Sequence, residues 1–252
     1  AAVFASELTL HPPKLPWDHK EILSAYDHRS IRRGYQVYRE VCSACHSIKF
    51  ICYRHLVNVC MTEAEAKALA SEQQIQDGPN DDGEMFMRPG RLSDAHPMPY
   101  ANDEAARKAN NGALPPDLTY IVLARHGCED YIFHLLTGFY EDLPAGLKLG
   151  EGQHYNPYFA GGAIGMARPL YDEMIEYEDG TPATTSQMAK DVTTFLRWCA
   201  DPYLDRNKNL FPKCMVVVGI MTAVCYYYKK KLFAPLMTQK LAYKNRPVRK
   251  HL

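Results

Sequence analysis

The residues with the clearest chemical capability are Cys42, Cys45 and His46, which close the run Cys42-Ser43-Ala44-Cys45-His46. Cys-x-x-Cys-His is the attachment signature of a c-type haem. On a helix the three side chains stand at i, i+3 and i+4 and share one face. Two thiols can then form thioethers to the haem vinyl groups while the imidazole reaches the iron. A zinc or thiol-redox pair is the competing chemistry. Zinc sites take a second ligand pair at similar spacing, and no second Cys-x-x-Cys occurs. The other six cysteines, Cys52, Cys60, Cys128, Cys199, Cys214 and Cys225, show no repeated spacing and read as small apolar side chains.

A haem held by His46 is defined by its sixth coordination position. An open position activates small molecules, whereas a second strong ligand restricts the iron to electron transfer. Methionine thioether is a soft ligand that favours ferrous iron. Of the ten methionines, Met85, Met87, Met98 and Met166 fall in stretches that read as loop. Met166 lies in Gly161-Gly-Ala-Ile-Gly-Met-Ala167, whose glycines permit close approach of main chain to a flat ligand. Met98 is its rival, stiffened between Pro97 and Pro99. Arg125 is a candidate partner for a haem propionate, or else a cation placed to favour a helix carboxyl end.

The elements that must position these groups are mostly helical. Ile31, Tyr35, Tyr38, Cys42 and Cys45 recur at helical spacing, so an amphipathic helix runs into the haem motif. Thr62-Glu-Ala-Glu65 is a capping box opening a helix over Glu63 to Gln74. The acidic stretch Asp77 to Glu84 reads as a solvated turn, and Met85 to Tyr100, with three prolines, as extended loop. Further helices are expected over Asp103 to Asn110, Asp117 to His126 and Glu129 to Thr137. Tyr155 to Pro169 is a long loop rich in Gly, Pro and aromatics. Thr184-Thr-Ser-Gln187 opens a helix with Val192, Phe195, Leu196 and Cys199 on its apolar side, ended or kinked at Asp201-Pro202. Neither a Gly-x-Gly-x-x-Gly fingerprint nor a Ser nucleophile elbow is present.

The formal net charge of zero hides a segregation of sign. Eight of the 29 Lys and Arg follow Tyr228 with no acid among them, so 21 basic residues face 29 acidic ones before it. The body is therefore about −8 and the tail about +8. Between them, Cys214 to Tyr228 carries no charge. Its 15 residues would span only about 22 Å as a helix. Leu210, Phe211, Leu232 and Phe233 lengthen it, flanking lysines can snorkel, and three tyrosines suit a membrane interface. The sequence thus predicts one transmembrane helix with the basic tail on the cytoplasm-like side. Ala1 to Pro16 has no basic region followed by an apolar run, so no signal or transit pattern is read there. The domain organisation expected is a haem domain over 1–205, an anchor over 206–233 and a basic tail over 234–252.

Several segments carry a resemblance to a known family: Val41-Cys-Ser-Ala-Cys-His46, Arg88-Pro-Gly90, Pro115-Pro-Asp-Leu118, Ala124-Arg-His-Gly127, Tyr155-Asn-Pro-Tyr-Phe159, Ala163-Ile-Gly-Met-Ala167 and Asp179-Gly-Thr-Pro-Ala-Thr184. Together they resemble the cytochrome c1 family, the haem-bearing subunits of mitochondrial ubiquinol:cytochrome c reductase, over nearly the whole chain. The resemblance implies a mainly α, cytochrome c-like haem domain with long loops and one C-terminal transmembrane helix. It implies one covalent haem c on Cys42 and Cys45, axial ligands His46 and Met166, and Arg125 at a propionate. Asn110, Pro115, Pro116 and Tyr131 would line the crevice. The implied role is a carrier within a redox enzyme complex of the respiratory chain, taking one electron from the Rieske iron-sulfur protein and passing it to soluble cytochrome c. The implied surroundings are the mitochondrial inner membrane beside cytochrome b, with the haem domain in the intermembrane space and the C-terminus in the matrix. No nucleic acid is expected as a partner.

Overall fold

The computed structural model describes residues 10–22 and 24–240. The basic tail beyond Lys240 and the first nine residues, both included in the expectations above, lie outside the described residues. The chain divides into two compact units, Ala1–Asp205 and Arg206–Leu252. Helix is the dominant element of both, so the mainly α class holds.

The first unit is organised on two helices, α1 (His28–Glu40) and α5 (Thr185–Ala200). Asp27 caps α1 by accepting hydrogen bonds from the amides of Arg29 and Ser30, and Thr184 caps α5 through the Gln187 amide. Ile31, Tyr35 and Tyr38 of α1 and Val192, Phe195, Leu196 and Cys199 of α5 are buried in the common core. The helices meet at Gly34, where a Cβ would lie 2.1 Å from the Asp191 carbonyl oxygen, so only glycine fits the crossing. A buried charge cluster joins them. The Asp191 carboxylate is fully buried and accepts from Ser30 Oγ (2.6 Å), Arg33 Nε (2.8 Å) and Gln187 Nε2 (2.9 Å).

Helix α4 (Glu129–Thr137) begins with two buried acids. Asp130 accepts from the Leu15 amide (3.0 Å) and the Trp17 indole (2.7 Å), while Glu129 pairs with His19 and Lys20, each at 3.0 Å. A carboxylate pair at a helix N-terminus also faces the positive end of the helix dipole. The segment 15–20 is thereby tied to α4. Shorter helices are α2 (Glu63–Ser71), with the Thr62/Glu65 capping box in place, and α3 (Asp103–Ala109), capped by Asn102.

Three expectations are corrected. Helix α2 stops at Ser71, because Gln74–Asp77 forms β1 of an antiparallel hairpin with β2 (Phe86–Pro89). The hairpin lies in stretches read as helix end and loop, and Arg88 pins it by pairing with both Asp77 and Asp94. A second, two-residue hairpin joins β3 (His154–Tyr155) to β4 (Ala163–Ile164) inside the long loop. Asp117 to His126 is a succession of turns, not a helix. Its opening groups bond elsewhere: the Leu118 amide donates to the Ser47 carbonyl and the Asp117 carboxylate accepts from Ser47 and Lys49. β-Branched Thr119, Ile121 and Val122 do little to restore a helix.

The second unit is carried by α6 (Leu204–Thr238), 35 residues and therefore about 52 Å long. From Asn209 to its end every residue is exposed, including Val216, Val217, Val218, Ile220, Met221 and Val224. A helix apolar on all sides and uncovered suits a hydrocarbon surround.

The buried cluster at the crossing generates one prediction. Arg33→Gln leaves Asp191 buried without its cation and should destabilise the first unit by about 3–5 kcal/mol, read by chemical denaturation of the detergent-solubilised chain. Glu129 generates a second. Burial alone would push its carboxyl up, but the hydrogen bonds from His19, its own amide and Lys20 outweigh that and leave it at about 2. A depressed folded value means the stabilisation is complete above the unfolded value of about 4.3 and is lost as pH falls toward 2. Glu129→Gln should flatten that acid limb in a pH series of denaturation midpoints.

Candidate haem site

Helix α1 ends at Glu40, and the chain bends at Val41 (φ −118°, ψ −58°) into a 3-10 turn over Cys42–Ala44. The amides of Cys45 and His46 both donate to the Cys42 carbonyl, at 3.1 and 2.9 Å. This single tight turn gathers the three motif side chains at the helix end, with Tyr38 Oη donating to the His46 carbonyl at 3.0 Å. All eight cysteines are free thiols. Burial, and then the neighbouring Cys45, push the Cys42 thiol up to about 12, so it stays protonated near neutrality. That opposes a thiol-redox role, which needs a stabilised thiolate. Among the described residues no cluster of three or more His, Cys, Asp or Glu is arranged to hold a metal ion, so a zinc site has no further ligands there.

His46 Nδ1 lies 2.8 Å from the Pro116 carbonyl oxygen. A carbonyl only accepts, so Nδ1 carries the proton and Nε2 keeps its lone pair. Burial holds the imidazole's basicity below its ordinary value despite the opposing effects of Pro116 and Asp117, which favours the neutral, ligating form.

Pro116 belongs to a strap, residues 110–118, that leads from the end of α3 across the motif turn. Asn110 closes α3, its amide donating to Ala106, and its side chain donates to the Ala106 carbonyl (2.7 Å) and Tyr100 Oη (3.0 Å). Left-handed Asn111 (φ 51°) and Gly112 (φ 86°) then turn the chain toward Pro115 and Pro116. The same strap meets the Met166 loop. A Cβ on Gly165 would lie 3.0 Å from Ala113 Cβ, a close approach that glycine permits. Thus His46 and the residue preceding Met166 both contact one short segment, at Pro116 and Ala113. Gly161 and Gly162 both have positive φ, 81° and 74°, and turn the β3–β4 hairpin.

The loop methionines now separate. Met85, Met87 and Met98 are 55, 59 and 59% exposed, whereas Met166 is half-buried. Arg125 is exposed, donates to the Ala124 carbonyl and pairs with no carboxylate among the described residues. Its charge opposes the burial that raises the Tyr131 phenol, which places the two residues in one neighbourhood. Exposed Leu114, Tyr120 and Leu123 add apolar surface along the strap and the turns after it.

Two residues went unsingled in the sequence. Asp117 fastens the strap to the motif turn. Buried Asn156 ties the Met166 loop to α4, its Nδ2 donating to the Leu135 carbonyl at 2.7 Å and its Oδ1 accepting from the Tyr158 amide. The Asn156-Pro157 dipeptide marked a turn and Asp117 the start of an expected helix, and neither signal points to these tertiary bonds.

Fold and site define a class: a helical domain built around a Cys-x-x-Cys-His turn, with a further helix long and apolar enough to cross a bilayer. The sequence matches the Cytochrome C1 family over residues 17–236. It is 54% identical to the mitochondrial cytochrome c1 haem protein of Neurospora crassa over 245 residues, 95% of this chain and 74% of that one. It is 53% identical to the corresponding protein of Kluyveromyces lactis, covering 96% of this chain and 83% of that one. A relative in Candida albicans, 52% identical over 96% of this chain and 84% of its own length, bears the name of catalytic subunit of the cytochrome b-c1 complex. The chain belongs to the cytochrome c1 family.

Proposed function

We propose that this chain is the haem-carrying electron-transfer subunit of a mitochondrial cytochrome b-c1 complex. The observation that carries the reading is the shared strap: Pro116 accepts from His46, and Ala113 packs on Gly165 beside Met166. One haem c would be held by thioethers at Cys42 and Cys45, with His46 and Met166 as protein ligands to the iron. Once bound, it supplies reversible one-electron transfer. The residues of the chain fit that group: two free thiols on one tight turn, an imidazole with Nε2 available, a half-buried thioether and a guanidinium that pairs with no carboxylate among the described residues. Arg125 would meet a propionate, and Asn110, Pro115, Pro116 and Tyr131 would border the crevice.

With His46 and Met166 as the iron's protein ligands, the chain's own work would be to fix their orientation and keep competing ligands away. The electron would come from the Rieske iron-sulfur protein and leave to soluble cytochrome c, within a complex that includes cytochrome b. Helix α6 would anchor residues 206–233 in the inner membrane, with the domain 1–205 in the intermembrane space and the basic stretch 234–252 in the matrix, as the positive-inside tendency favours.

A body of about −8 suits a basic carrier. Part of its acidity is already neutralised, since Asp77 pairs with Arg88, Glu178 with Arg32 and Asp179 with Arg33. Asp81, Asp82, Glu84, Glu173 and Glu176 remain exposed. A membrane-tethered haem enzyme with an open iron is the alternative, and the half-buried Met166 beside the strap disfavours it.

Two predictions follow from ligation and charge. Met166→Leu should lower the midpoint potential and let carbon monoxide bind the ferrous haem, whereas Met98→Leu should leave both unchanged; equal effects in potentiometry and carbon monoxide difference spectra would refute the Met166 assignment. The second-order rate of cytochrome c reduction should fall steadily as salt is raised, and a rate indifferent to ionic strength would refute steering by the acidic body.

A further inference from the structure

We propose that Asp117 is a positioning residue that sets the orientation and donor strength of His46 by holding the Pro116 carbonyl against the imidazole. The proposal rests on His46 being an axial haem ligand, as put forward above.

The Pro116 carbonyl needs an outside hold. Pro115 and Pro116 have no amide hydrogens, so neither can fix the strap by donating a backbone hydrogen bond. The hold comes from the residues that follow. Asp117 Oδ2 accepts from Ser47 Oγ (2.8 Å) and from the Lys49 amide (2.9 Å), and Oδ1 accepts from the Thr119 amide (3.0 Å). The Leu118 amide donates to the Ser47 carbonyl at 2.8 Å. These bonds and the His46–Pro116 contact form a closed ring between residues 46–49 and 116–119. One carboxylate thus joins the residue after His46 to the residue after Pro116.

The rest of His46 is fixed independently. Its amide donates to the Cys42 carbonyl, and its carbonyl accepts from Tyr38. Among the described residues, the one hydrogen bond that reaches the imidazole ring is the contact with the Pro116 carbonyl. A histidine that donates its second N–H to a firmly placed acceptor is a more basic ligand with a defined tautomer. A more basic ligand favours the ferric state. Loosening the carbonyl should therefore shift the haem toward the ferrous state, without removing any residue that touches the haem iron.

Losing the negative charge of Asp117 would act in the same direction, so two variants are needed. Asp117→Asn removes the charge and weakens the clamp; Ser47→Ala keeps the charge and removes one anchor. The measurement is a redox titration of the haem absorption in membranes containing the assembled complex. At the wild-type midpoint, the ferrous-to-ferric ratio should rise in Asp117→Asn on the order of tenfold, taking the low end of the effect outer-shell partners have on metal affinity as the measure of ligand strength. In Ser47→Ala it should rise by a smaller factor in the same direction. A Ser47→Ala ratio equal to wild type overturns the proposal, because the effect at Asp117 is then charge alone; unchanged ratios in both variants overturn it as well. If Asp117→Asn does not assemble, Ser47→Ala decides by itself. The underlying ligation is checked on the wild type, where haem that is released on denaturation or lacks sulfur ligation would defeat that reading without reference to either variant.

Discussion

The site depends on one hydrogen bond, from His46 Nδ1 to the Pro116 carbonyl at 2.8 Å. It fixes the tautomer, leaves Nε2 available and joins two parts of the chain 70 residues apart. Everything placed near the motif turn is placed relative to that contact. The strap bearing Pro116 also carries Ala113, against which Gly165 packs, so the segments holding the two proposed ligands share one support.

The motif turn it meets is delivered by helices that are locked together. Helix α1 delivers the motif turn, and its crossing with α5 is fixed by the missing Cβ at Gly34 and by the buried Asp191 with Arg33 and Ser30. Burying a carboxylate is costly unless its partners are complete, so the pair specifies one helix alignment more than it adds stability. Helix α4 enters through a second buried acidic pair, and it reaches the Met166 loop through Asn156 and the Leu135 carbonyl. Helix α1 thus carries the motif turn, and α4 carries the hold on the Met166 loop.

Much of this was legible in the residues. Capping boxes at Thr62 and Thr184 and the helical spacing from Ile31 to Cys45 marked α2, α5 and α1, because local hydrogen bonding and amphipathicity decide those elements. The motif was expected at the end of that helix and lies there, in a 3-10 turn over Cys42–Ala44 and not on the helix itself. Asp117 to His126 was misread because its capping groups bond to Ser47 and Lys49, a tertiary demand with no local signature. The β1–β2 hairpin was missed because Gln74–Asp77 does not alternate apolar with polar, and Arg88 supplies much of its hold. Asp191 stands beside the apolar stripe of α5 and carries no local sign of burial. Only the arrival of Arg33 and Ser30 from α1 makes it interior.

The central claim is that His46 and Met166 would bind the haem iron together. Near-infrared magnetic circular dichroism of the oxidised wild-type protein tests it most directly, since the charge-transfer band of ferric haem reports the atoms on both axial positions. The account predicts the signature of imidazole with thioether sulfur. A signature of two nitrogen ligands, or of an iron with an open sixth position, would contradict it.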